Sequence, residues 1–146
     1  MNNKDLVKNI FSIANSLVHE KGYVCSVDVL MKLGYLSITD YREWRFGKID
    51  YLERACRINL NALSLMNKAI REFSRRRHLS EAWTEYNQHG CKTKRRLRFS
   101  KSGNPRIEKL YATHYLDAAR LKEMKHQNSI ATSTPDKTST AESLRD

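Results

Sequence analysis

Long apolar runs are missing from this chain. No stretch approaches the ~18 consecutive apolar residues that mark a membrane-spanning helix, so none is expected. The opening residues, M-N-N-K-D-L-V-K-N-I-F, hold no continuous apolar stretch ending in small residues and read as the start of an amphipathic helix, not a secretory signal. Cysteine is scarce. Cys25, Cys56 and Cys91 are odd in number and far apart, no C-x-x-C occurs, and no Cys–His spacing matches a zinc site. Three reduced thiols in a cytoplasmic protein is the simplest reading, and no metal or other cofactor is expected. There is no internal repeat and no glycine-rich nucleotide loop. Carboxylates stand singly: Glu81, Glu85 and Glu108 do not make the set a two-metal nuclease needs.

What the chain does have is positive charge, and the charge is local. The net charge is +11 over 146 residues. Residues 1–40 and 110–146 are each balanced, while 71–109 carry twelve basic against four acidic side chains. A balanced start, a balanced tail and a basic centre imply a folded body with one cationic face. The commonest partner for such a face is a phosphate backbone, either DNA or structured RNA.

The length fits one domain. Leu6, Ile10, Ile13, Leu17 and Val18 recur at helical spacing over 4–20, and Gly22 can end that helix. Ser26 is a candidate N-cap for a short helix through Leu33, and Ser37 for another through Trp44. From Asp50 the pattern Leu52, Cys56, Leu63, Met66, Ile70, Phe73 predicts one long helix ending in Arg75-Arg76-Arg77. Ser80 is expected to cap a short helix ended by Gly90. Asn104 and Pro105 open a last helix with Ile107, Leu110, Tyr111, His114, Ala118 and Leu121 on one face. Between these, K-T-K-R-R-L-R-F-S-K at 92–101 alternates with a period of two and reads as a strand or extended arm. From about residue 127 the apolar pattern stops, and 127–146 reads as a disordered Ser/Thr-rich tail. The expected fold is mainly α: a helical bundle over 1–126 with a possible helix-turn-helix-like pair and a short extended basic segment.

Several constellations bear on function. The helices at 27–33 and 38–46 have the outline of a helix-turn-helix, with Arg42 and Arg45 as candidates for base or backbone contact. Asp40 and Glu43 fit that pattern poorly, and a helical hairpin with Tyr41 and Trp44 in the core competes with it. Arg75 and Arg76, which end the long helix, are candidates for phosphate contact, although cations there also suit a helix C-terminus. Lys92, Lys94, Arg95, Arg96, Arg98 and Lys101 have no acidic residue among them, so they repel one another and gain from an anionic partner. Leu97 and Phe99 would pin that segment to the body. The alternative is a basic loop with no target. Ser100 to Asn104, just before a helix start, form either an anion site or an ordinary capped turn. Trp83 and Tyr86 either stack on bases or, as the spacing favours, pack in the core.

Two strings, D-Y-R-E-W-R-F-G at 40–47 and L-R-F-S-K-S-G-N-P-R-I-E at 97–108, resemble those of small uncharacterised bacterial proteins of similar length. The resemblance covers about residues 20–115. It implies a bacterial origin and a compact unit spanning both strings, and it supplies no catalytic residue.

The expectation is therefore a nucleic-acid-binding protein, such as a DNA-binding accessory or regulatory factor. Two other classes compete. A small metal-independent, toxin-like nuclease would use His114 as general base, with Arg98 and Lys101 converging on it. An adaptor for an acidic protein would carry an exposed apolar patch within the basic face.

Overall fold

The structure, a computed structural model, describes residues 2–131. In chain order these form α1 (Asn3–Lys21), β1 (Tyr23–Val24), α2 (Ser26–Leu33), α3 (Ile38–Arg45), α4 (Leu52–Ala55), α5 (Leu60–Arg76), β2 (Ser80–Trp83), α6 (Pro105–Ala112), β3 (Thr113–Leu116) and α7 (Ala118–Ala131). The protein is predominantly helical, with one small antiparallel sheet in the order β1-β3-β2. Of the segment read as a tail, residues 127–131 carry on α7, and 132–146 lie outside the described residues.

The two long helices form the frame. Asn2 caps α1 by accepting the Asp5 N–H at 2.8 Å. Leu6, Ile10, Ala14, Leu17 and Val18 make its buried stripe. Gly22 ends it at φ 83°, a conformation that costs glycine little. A Cβ at Gly22 would also run into Leu121 of α7. Leu63, Met66, Ile70 and Phe73 supply the matching stripe on α5. The helices run parallel: Asn3 and Leu6 share a cleft with Asn59, Asn61 and Ala62, Phe11 meets Phe73 edge-on at 5.6 Å, and Arg77 donates to Asn15 at 2.6 Å. Ser26 donates to the buried Asn67 at 2.6 Å, which ties α2 to α5.

Four local expectations are corrected. The helix expected from Asp50 is broken: Cys56 is extended, the Arg57 N–H turns away to the Tyr35 carbonyl at 2.8 Å, and Asn59 recaps the chain by accepting from Ala62. Ser26 lies inside α2 and Cys25 holds the cap position, because the Ser26 hydroxyl is spent on Asn67. Residues 80–83 are a strand, not a helix. His78, at φ 55°, turns the chain after α5 and sends it alongside β3. The last helix is interrupted by β3, whose Thr113–Leu116 pairs with β1 on one side and β2 on the other. Ladder bonds on both edges outweigh continuation of the helix.

Candidate nucleic-acid interface

The basic segment is held by its backbone. The Leu97 N–H donates to the Tyr86 carbonyl at 2.8 Å, and the Gln88 N–H to the Arg95 carbonyl at 2.7 Å, so 86–88 and 95–97 form a short antiparallel pair. The Arg98 carbonyl accepts from the Trp44 indole at 2.9 Å and from the Leu52 N–H at 3.2 Å. The Phe99 carbonyl accepts from the Glu53 N–H at 2.9 Å. Leu97 and Phe99 then face inward, and Phe99 meets Trp44, Tyr86 and Tyr111 in an aromatic cluster. Period-two geometry leaves Arg96 and Arg98 outside. Pinning by Leu97 and Phe99 is as the alternation implied.

The candidate cations fall into separate groups. Lys92, Arg95 and Lys101 are exposed, and their side chains have no partner among the described residues. Lys94 is paired with Glu85 at 3.1 Å. Arg98 lies over the Tyr51 ring at 5.4 Å. Arg75 and Arg76 are not part of this set: both hold Glu72, at 2.5 and 2.9 Å, and Arg76 lines the groove between α1 and α5.

Arg42 is exposed on α3, but Arg45 is a core residue. It is 6% exposed, lies over the Tyr86 ring at 5.1 Å, and donates to His89 Nε2 at 2.6 Å. An outward role for Arg45 is therefore corrected, because the turn of α3 that buries Tyr41 and Trp44 buries it too. The C-terminal end of α3 docks on the 86–90 loop: the Arg45 carbonyl accepts the His89 N–H at 2.7 Å, and the Phe46 carbonyl accepts from Gln88.

Helix α6 is a ridge between two clefts. On one side Trp83, Arg96, Leu97, Arg98, Pro105 and Lys109 line a cleft of about 690 Å³, which Glu108 also borders. On the other, Lys68, Lys101, Leu60, Ile107 and Tyr111 line one of about 640 Å³. Trp83 is 49% exposed, against the expectation that it packs in the core; Tyr86, at 3%, does pack there. The Arg96 guanidinium sits over the Trp83 ring, 4.8 Å from its centre. The helical spacing does not apply here, because 80–83 is extended and pairs along β3. Of the four residues of β2 only Trp83 favours a strand, so Ser80, Glu81 and Ala82 carry no local signal for one.

The turn before α6 is not an open anion site. Glu108 accepts the N–H groups of Phe99 and Ser100 at 3.0 and 2.7 Å, and Glu53 accepts that of Lys101 at 3.0 Å. Asn104 caps the first turn by accepting from Arg106 and Ile107. The protein's own carboxylates fill the positions an outside anion would take.

His114 stands on the central strand between Tyr23 and Tyr86 and lines neither cleft beside α6. Burial holds its pKa below the ordinary histidine value. Cys56 is pushed up to about 12 by burial and by the charge of Glu53, so it is a thiol at neutral pH. No group of His, Cys, Asp and Glu among the described residues is placed to hold a metal ion, and no helix among them is long and apolar enough to cross a membrane. Compared with protein-family models, curated proteins and solved structures, the chain matches none.

Proposed function

We propose that this protein binds nucleic acid through the face built by residues 92–101, with Arg96, Arg98 and Lys109 around the cleft beside α6. The observation that carries the reading is the exposure of Lys92, Arg95 and Arg98 without a carboxylate partner among the described residues, on a segment whose backbone is tied to the body at Arg95 and from Leu97 to Lys101. The ties from Arg95 onward hold these like charges close together, and phosphates relieve their repulsion. Trp83 and Tyr51 lie among these cations, under Arg96 and Arg98, as rings that stack on bases do. The exposed Leu60 and Ile107, beside Lys68 and Lys101 in the other cleft, are the feature that favours an acidic protein partner instead. The finer reading of α2 and α3 as a helix-turn-helix has less support, because burial of Arg45 leaves Arg42 the only cation α3 presents outward.

The test is a salt series with labelled RNA and DNA. Log affinity should fall linearly with log salt, by about 0.7 per phosphate contact on a single strand and about 0.9 on a duplex. Changing Arg95, Arg96 and Arg98 together to Ala should weaken binding and reduce that slope by about two. A flat response, or displacement of nucleic acid by polyglutamate of equal charge, would reject the reading.

A further inference from the structure

We infer that the cleft between Trp83, Arg96 and α6 is a slot for an unpaired nucleobase, so that the ligand is a single-stranded nucleic acid. The inference rests on the nucleic-acid reading and narrows it. Trp83 is at the end of the edge strand β2, with half of its surface open. Its neighbours are those of a stacking platform: a guanidinium on the ring at 4.8 Å, apolar walls from Leu97 and Pro105, and Arg98 and Lys109 at the rim. Bases stack on aromatic and guanidinium planes, and their phosphates then fall near cations at the rim. In a duplex the faces of a base are covered by its neighbours, so this surface reads only a base out of the stack. Glu108 borders the cleft, but its oxygens already accept from Phe99, Ser100 N–H and the Ser100 hydroxyl. It is spent on the frame and leaves the cations to the ligand.

The two tryptophans make the test direct, because Trp44 is 0% exposed and any quenching by a bound base reports Trp83. The full chain is titrated at one low salt with three oligonucleotides of equal length: a thymidine single strand, an abasic single strand with the same phosphates, and a duplex. The thymidine strand should bind at least tenfold more tightly than the abasic strand and quench tryptophan emission. Trp83→Ala should reduce the two single strands to equal affinity, and Trp83→Phe should retain most of the preference while abolishing the quench. Equal binding of thymidine and abasic strands without quenching, or tighter binding of the duplex, would overturn the slot and leave phosphate binding standing. No binding of any of the three would sink both.

Discussion

Arg45 shows how much the surroundings of one residue decide. It is a charged side chain at 6% exposure, and among the described residues it has no carboxylate in ion-pair distance and its Nε has no hydrogen-bond partner. Its compensation is aromatic: the rings of Tyr41 and Tyr86 at 6.0 and 5.1 Å, with His89 Nε2 as acceptor. Arg45→Ala should cost about 2–4 kcal/mol in chemical denaturation, through lost packing and lost cation–ring contact. Arg45→Met should cost less, because it fills the space without burying a charge. Trp44, fully buried and donating to Arg98, should cost about 3–5 kcal/mol as Trp44→Ala. His114 predicts a pH effect. Burial lowers its pKa, so the unfolded chain binds the proton more readily than the folded one. Its contribution is present above the ordinary value of 6.5 and is lost as pH falls through the depressed folded value. Between pH 7 and 5 the denaturation midpoint should drop in the wild type and drop less in His114→Gln.

At the scale of elements, caps and cross-strand bonds set where helices begin and stop. Asn59 divides what would otherwise be one helix from Leu52 to Arg76. Asn59→Ala should destabilise the protein by about 1 kcal/mol, measured as a shift in midpoint without a change in slope. The 98–101 segment is an element of another kind, an extended run held by Glu53 and Glu108 from two helices. Glu108→Ala would leave the Phe99 and Ser100 N–H groups without their acceptor. Faster amide hydrogen exchange at 98–101 than in α1 is the expected result, together with weaker nucleic-acid binding, since the frame that aims Arg96 and Arg98 loosens. Unchanged exchange there would show that Leu97, Phe99 and the Trp44 bond suffice.

For the molecule as a whole, charge acts on folding and binding with opposite signs. A net charge of +11 destabilises the compact state by self-repulsion. Added salt screens that repulsion and also competes with phosphates. The melting temperature should therefore rise between about 20 and 200 mM salt while nucleic-acid affinity falls. A bound single strand should raise the melting temperature most at the low-salt end, by mass action.

The sequence by itself determined the features that depend on near neighbours. Apolar spacing marked α1 and α5, Ser37 and Asn104 marked helix starts, and the absence of acidic residues among Lys92 to Lys101 marked the candidate face. Alternation also told that Leu97 and Phe99 turn inward. Only the tertiary structure decided what depends on distant partners. Thr113–Leu116 is a strand because Tyr23 and Ser80 lie on either side of it, and neither is near it in the chain. Trp83 is exposed because its strand is an edge, and no local period says which strand will be one. The N–H groups of Phe99, Ser100 and Lys101 are closed to an anion because Glu53 arrives from another helix and Glu108 folds back from the next. Pairing partners of that kind are chosen by the packing of the whole chain, and a residue's own neighbours in sequence hold no record of them.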